Sequence, residues 1–116
     1  MKKLVVLMVL LPVICYGASV VRTIDAPDTN ISGLAWGEDK LWALDEESSF
    51  IYGLNPVTGV VEVSFEVIHT SCPSYSPAGL TYQSGTLFSS YISGSSSSYI
   101  YFYNTSGGYL GNDLLC

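Results

Sequence analysis

The sequence is poor in positive charge. Among its 116 residues there are four lysines and arginines against ten acidic residues, and the formal net charge at pH 7 is −6. An acidic surface repels the phosphates of nucleic acids and the head groups of anionic lipids. Both partners are therefore disfavoured, and we interpret the acidity as a means of staying soluble.

Residues that commonly bind metals or act as catalysts are also scarce. The chain has one histidine, His69, and three cysteines, whose spacing matches no zinc-binding pattern. No serine lies in a nucleophile-elbow sequence, and Cys72 lacks the flanking residues of a catalytic thiol. The sequence consequently predicts no metal site, no cofactor and no hydrolase triad.

Long apolar runs are missing as well, with one short exception. Residues 4–14 are apolar, but this run is much shorter than the ~20 residues that cross a bilayer as a helix. It follows a basic start and is followed by small residues at Cys15 and Gly17, a layout typical of a secretory signal peptide cleaved before Ala18. We therefore predict a signal peptide at residues 1–17, a secreted or periplasmic protein, and no membrane span.

The signal peptide bears on the cysteines. Cys15 would be removed with it, and a lipid anchor on Cys15 is disfavoured because bulky Ile14 precedes it. Cys72 and Cys116 would remain in a compartment that permits disulfides. A bridge between these two is therefore allowed, although the sequence alone does not show that they lie close together.

Helical periodicity is the last feature that is missing. Residues 60–67, VVEVSFEV, alternate instead, and we expect Val61, Val63, Phe65 and Val67 to face inward. Residues 40–44 are apolar on both faces, which is typical of a strand between two neighbouring sheets. The chain after the signal peptide is therefore predicted to be all-β.

What the sequence does contain is an internal repeat. Residues 33–36, GLAW, align with residues 79–82, GLTY. The alignment continues in order, pairing 41–42 with 87–88, 50–52 with 99–101, and the turn residues Asn55 and Gly59 with Asn104 and Gly108. A period in the forties with four strands per unit is the signature of β-propeller blades.

The repeat predicts how the chain is divided. Residues 18–116 are expected to form a partial β-propeller, with one four-stranded antiparallel blade at about 32–67 and a second at about 79–115. Residues 19–26, SVVRTIDA, align with the outer strand 60–67. They are therefore expected to form an orphan outer strand that precedes the first blade.

Two blades fall short of a ring. Blades bury both faces against neighbours, so at least about three are normally needed. Large exposed apolar faces are also uncommon on monomers. Three interpretations stay open: the chain is a fragment of a longer propeller, which its end in or just after a strand favours; copies self-associate through exposed blade faces into a ring; or two blades form a stand-alone wedge.

The motifs GLAW-x4-LW with YGLNPVTGVV, and GLTY-x4-LF with YIYFYN, resemble the secreted bacterial β-propeller repeats of glutamine cyclotransferase-like and quinoprotein-like proteins. The resemblance covers residues 19–116 and implies a fold and an export route. It implies no activity, because such blades serve enzymes, binding modules and surface proteins alike. We expect a non-enzymatic binding or structural module, and the alternative is the N-terminal piece of a propeller enzyme of the glutamine cyclotransferase or lyase type.

Ligands of propellers usually bind at one rim, where the loops before a blade and between its second and third strands meet. The side chains expected there are Asp28, Asn30, Asp45, Glu46, His69 and Tyr75. His69 has the ordinary pKa of a general base near neutrality. Asp45, Glu46 and Glu47 supply carboxylates for calcium without the alternating spacing of calcium loops. A solvated loop is the favoured interpretation in both cases.

Tyrosine is the abundant aromatic residue. Tyr99, Tyr101 and Tyr103 lie on one side of a predicted strand, and Tyr52 lies at a matching position of the first blade. An exposed ladder of this kind would suit stacking on carbohydrate or on a protein partner. Packing between the blades is the favoured interpretation.

Overall fold

Two antiparallel β-sheets make up the computed structural model, which describes residues 17–67, 76–92 and 98–115. Each sheet has four strands in chain order. Sheet 1 contains β1 (Ile31–Gly37), β2 (Lys40–Asp45), β3 (Phe50–Leu54) and β4 (Val61–Glu66), and sheet 2 contains β5 (Ser76–Gln83), β6 (Thr86–Ile92), β7 (Ser98–Asn104) and β8 (Tyr109–Leu115). Within these residues there is no helix, so the prediction of an all-β chain with two four-stranded antiparallel sheets is confirmed.

The first hairpin of each sheet has the same tight turn. Glu38 and Asp39 have φ values of 53° and 54°, and Ser84 and Gly85 have φ values of 47° and 83°. Two central residues at positive φ are the geometry whose twist matches that of the flanking strands. Both hairpins therefore reverse the chain in two residues and keep the first two strands of each sheet in register.

The last hairpin of each sheet is organised by an asparagine. The Asn55 carboxamide oxygen accepts hydrogen bonds from the backbone N–H groups of Val57 (2.9 Å) and Thr58 (3.1 Å). In the second sheet Asn104 accepts from Ser106 and Gly108 in the same way. The turn glycine at positive φ is Gly59 in sheet 1, but Gly107 and not the aligned Gly108 in sheet 2.

Each sheet has two faces, which the repeat lets us name. We call the front face the one that carries the positions of Gly33 and Trp42, which in sheet 1 comprises Gly33, Ala35, Trp42, Leu44, Ile51, Val63 and Phe65. The back face of sheet 1 comprises Leu34, Trp36, Leu41, Ala43, Tyr52 and Leu54. The prediction that residues 40–44 are apolar on both faces is confirmed, because Trp42 and Leu44 lie on the front face and Leu41 and Ala43 on the back face.

The core lies where the front face of sheet 1 packs on the back face of sheet 2. Trp42, Leu44 and Ile51 from sheet 1 form one buried cluster with residues of sheet 2, namely Leu87, Tyr91, Tyr101 and Tyr103. The backbones of β1 and β5 approach closely, because a Cβ added at Gly33 would lie 2.8 Å from the Leu80 nitrogen. Gly33 therefore allows a contact that any side chain would prevent.

The predicted orphan strand is wrong in its local structure. No strand forms within residues 17–30, and residues 24–27 lie against the back face of sheet 1 instead. An outer strand exists through ladder hydrogen bonds to an inner neighbour, and residues 19–26 have none in either sheet. Apolar side chains near the end of this segment pack against a sheet face. Val20 and Val21, near its start, are exposed.

The outer strand β4 follows its predicted alternation with one exception. Val63 and Phe65 are partly buried and the intervening polar residues are exposed, but Val61 is exposed. The register between β3 and β4 shifts at Gly53 and Leu54, which pairs Val61 with Leu54 on the back face. The irregularity therefore moves Val61 away from the core. Among the described residues no helix has the length and hydrophobicity that a membrane span requires.

Candidate functional site

The structure brings together four of the predicted rim residues. The segment that contains Asp28 and Asn30 lies beside the turn after β2, which contains Asp45 and Glu46. The Glu46 backbone N–H donates to the Asn30 carbonyl at 3.0 Å. His69, Tyr75, Cys72 and Cys116 lie outside the described residues, so their grouping with this rim and the predicted disulfide stay predictions.

Asp45 is the centre of this group. Its side chain is buried, and one carboxylate oxygen accepts from the backbone N–H groups of Glu47 (2.9 Å) and Ser48 (2.7 Å). The other accepts from the Asn30 N–H at 3.0 Å. Burial alone would raise the pKa of Asp45, but these hydrogen bonds outweigh it and lower the pKa below 3.8. Asp45 therefore stays ionised and ties the N-terminal segment to the β2–β3 turn.

A second polar contact holds the same segment. The Tyr52 hydroxyl donates to a carboxylate oxygen of Asp28 at 3.0 Å, and the other oxygen of Asp28 accepts from the Thr29 N–H at 2.8 Å. Burial raises the pKa of Tyr52, a hydrogen bond with the Ser48 side chain partly offsets this, and the neighbouring Asp28 carboxylate raises the pKa further. Residues 24–30, which we call the N-terminal strap, are thus fastened to the back face of sheet 1.

The carboxylates of this rim do not form a cation site. The carboxylate oxygens of Asp45 accept hydrogen bonds from backbone N–H groups, and the Glu47 carboxylate accepts a hydrogen bond from the Asn30 carboxamide. Within residues 17–67, 76–92 and 98–115 there is no group of three or more His, Cys, Asp or Glu side chains that could hold a metal ion. The polar contacts at this rim hold the N-terminal segment against the turn after β2.

Two of the three ladder tyrosines lie in the interior. Tyr101 and Tyr103 are buried between the sheets, and the Tyr103 ring contacts Phe65 of sheet 1. Tyr99 is partly buried and packs against the same core. Tyr52 is on the back face of sheet 1, where it stacks on Phe50 with ring centroids 5.9 Å apart. Packing between the sheets is therefore the role of Tyr101 and Tyr103, and they offer no stacking platform to a ligand.

An exposed tryptophan lies on the back face of sheet 1, and sequence reasoning did not single out this side chain. Trp36 and Leu34 of β1 are 59% and 60% exposed. Beside Leu34 runs a groove of about 190 Å³ between the strap and the sheet, bordered by Leu41, Ala43 and Leu54. The signal for this surface was available, since β1 alternates and Leu34 and Trp36 therefore oppose the buried face.

A second apolar groove lies on the front face of sheet 2. It has a volume of about 190 Å³ and is lined by Gly79, Leu80, Thr81, Phe88, Ser90 and Ile100. Phe88 packs edge-on against Phe102 beside it, with ring centroids 5.2 Å apart. Each sheet therefore has one face in the shared core and one apolar face turned away from it.

Comparison with known proteins gave no match to a family model, to a curated protein or to a solved structure. Function must therefore be inferred from these faces and loops themselves.

Proposed function

We propose that the chain is an exported, non-enzymatic interaction module of the β-propeller type. Its two sheets are consecutive blades, and its role is to present an apolar sheet face to a protein partner. The fold supports this because the two sheets pack as successive blades would, with the front face of one on the back face of the next.

The single observation that carries the proposal is the exposure of Trp36 and Leu34. Their repeat equivalents in sheet 2 are Tyr82 and Leu80, which are partly buried against the core. Two positions that are buried by a neighbouring sheet in one blade are thus left open in the other. An exposed pair of large apolar side chains on a flat sheet face is the kind of surface that marks an interaction site.

The polar loops support a role without catalysis. Asp45 and Asp28 are engaged in holding the N-terminal strap, as their contacts with backbone N–H groups and with Tyr52 indicate. Among the described residues, the exposed apolar pair of Leu34 and Trp36 lies on a sheet face. A protein partner is therefore favoured over a carbohydrate, because the ladder that would have stacked on sugar rings, Tyr101 and Tyr103, is buried.

A photo-crosslinking experiment tests the proposal in the producing cell. A photoreactive phenylalanine analogue replaces Trp36, and in a matched control it replaces Val57, which is 62% exposed in the β3–β4 turn. We expect discrete protein adducts in the extracytoplasmic fraction from position 36 and none from position 57. A chain that stays in the cytoplasm contradicts the export part of the proposal. Equal or absent adducts at the two positions contradict the interaction part.

A further inference from the structure

We propose that the front face of sheet 2 is a docking site for the back face of sheet 1 of a second copy of this chain. Copies then associate head to tail, each repeating the contact that already joins the two sheets. The inference rests on the proposed interaction role of Trp36 and Leu34, and it adds the identity of the partner and the surface that receives these side chains.

The interface between the two sheets is the template. In it Leu80 and Tyr82 of β5 are received by the glycines of β1. The Leu80 backbone comes against Gly33, and the Tyr82 ring occupies the space where Gly37 would carry a side chain. The Tyr82 hydroxyl also reaches the Glu38 carboxylate at 3.4 Å. The back face of a blade of this repeat is thus shown to fit the front face of another.

The front face of sheet 2 carries one of the two receiving positions. Gly79 is the equivalent of Gly33, whereas Gln83 stands at the equivalent of Gly37. Among the described residues, a Cβ added at Gly79 would approach only Ser90 of its own sheet, at 3.0 Å. At Gly33 the same space is filled by Leu80 of the neighbouring sheet. Thr81, the equivalent of Ala35, is exposed in the same face. The space above Gly79 is therefore available for the backbone of another β1.

The floor of this open face is built from aromatic rings, as its counterpart is, but in a different arrangement. On sheet 1, Trp42 packs across Gly53, where an added Cβ would lie 2.8 Å from the indole ring. On sheet 2 the equivalent residues are Phe88 and Phe102, which pack edge to face. One large ring over a glycine is replaced by two smaller rings, and the groove beside them is lined mainly by apolar side chains.

The surface to be received is the inner edge of sheet 1. The N-terminal strap covers the outer part of the back face, where Ala43 and Leu54 are buried. Leu34 and Trp36 of β1 remain exposed beside it. The existing interface has its closest backbone approach at this inner edge, between β1 and β5. The strap therefore leaves exposed the two side chains that the docking requires.

A contact between two different surfaces is heterologous, so each copy keeps one free surface after the first contact forms. Such a contact closes into a ring or continues as a filament. It also predicts a pattern of complementation that a symmetric dimer cannot produce, and this pattern is the basis of the experiment.

Three variants of the full chain separate the surfaces. Trp36→Arg damages the back face of sheet 1, Thr81→Arg damages the front face of sheet 2, and Val57→Arg is the control on a turn outside both faces. Sedimentation equilibrium over a range of concentrations measures the association constant. We expect the parent chain and Val57→Arg to associate, and each of the other two to lose at least about tenfold in the association constant, roughly 1.4 kcal/mol. Leu34→Lys replaces Trp36→Arg if circular dichroism shows that the latter is unfolded.

The mixture of the two damaged variants decides the geometry. Trp36→Arg retains an intact front face and Thr81→Arg an intact back face, so together they are expected to form a dimer that grows no further. A parent chain that stays monomeric overturns the docking proposal, while adducts of other proteins at position 36 would still support the interaction module. Loss of association in Thr81→Arg alone, or a mixture that stays monomeric, also overturns the head-to-tail geometry.

Discussion

Two tryptophans on neighbouring strands of sheet 1 differ in burial. Trp42 of β2 is fully buried, and its indole N–H donates to the Gly37 carbonyl at 3.0 Å. Trp36 of β1 is 59% exposed and faces away from the core. The difference does not come from residue type or strand propensity, because both are tryptophans in one sheet. It comes from which face has a second sheet against it.

Truncating the two tryptophans should separate their roles most strongly. Trp42→Ala removes the largest buried side chain and its hydrogen bond, so we expect a loss of about 3–5 kcal/mol in the free energy of unfolding. Urea denaturation followed by circular dichroism measures this loss. A loss below about 1 kcal/mol would mean that the space between the sheets collapses easily, and the core assigned to Trp42 would be wrong.

Alanine at the two equivalent glycines compares a closed face with an open one. In Gly33→Ala the new methyl group meets the Leu80 backbone, which cannot move without separating β1 from β5. We expect a destabilisation of about 1–3 kcal/mol, typical of overpacking. Gly79→Ala is the matched control, because its methyl group meets only the Ser90 hydroxyl, which can rotate. Equal effects on urea denaturation, measured at low protein concentration, would contradict the difference between the faces.

Alkaline pH should weaken the closed interface. Burial raises the pKa of both Tyr91 and Tyr103 well above 10. The neighbouring Tyr103 raises the pKa of Tyr91 further, whereas the hydrogen bond with Tyr91 lowers the pKa of Tyr103 by less than burial raises it, and Tyr101 raises both. In the unfolded chain these hydroxyls ionise near pH 10, whereas in the folded chain they remain protonated. Their contribution to stability is therefore fully present below pH 10 and is lost as the pH rises above it, by about 1.4 kcal/mol per pH unit for each tyrosine.

The matched variant for this pH effect is Tyr103→Phe. It keeps the ring in the core and removes one of the two ionisable hydroxyls. Thermal melts between pH 8 and pH 11 should show a shallower decline for Tyr103→Phe than for the parent chain. An unchanged decline would mean that Tyr103 is not the source of the alkaline sensitivity.

The fold was predictable because several local signals agree. The GLAW and GLTY repeats, the two hairpin turns and the alternation of β4 all specify a four-stranded meander, and eight strands form at nearly the expected positions. Residues 19–26 were misread because their alternation matches an outer strand, while pairing depends on a neighbour that periodicity does not reveal. A strap on a sheet face and a strand at a sheet edge look alike in such a pattern.

The candidate site was less predictable than the fold. Clustering of Asp28, Asn30, Asp45 and Glu46 followed from their loops, but the sequence could not show that Asp45 accepts three backbone hydrogen bonds. Exposed blade faces were predicted, but not which side chains lie on them, because the repeat makes Leu34 equivalent to Leu80 and equivalent residues are expected to be equally buried. Burial instead depends on the next sheet, which is a tertiary property.

Among these substitutions, Trp36→Ala is expected to change the stability of the monomer least. Any effect that appears only at high protein concentration can therefore be assigned to association. Trp36→Ala should change the free energy of unfolding by no more than about 0.5 kcal/mol at low protein concentration, as for other surface substitutions. If copies dock head to tail, the parent chain gains stability as its concentration rises, because association stabilises the folded state by mass action. Trp36→Ala should lose this gain, so that thermal melts of the two proteins agree when dilute and diverge when concentrated. Melts that diverge equally at every concentration would instead place Trp36 within the packing of its own chain.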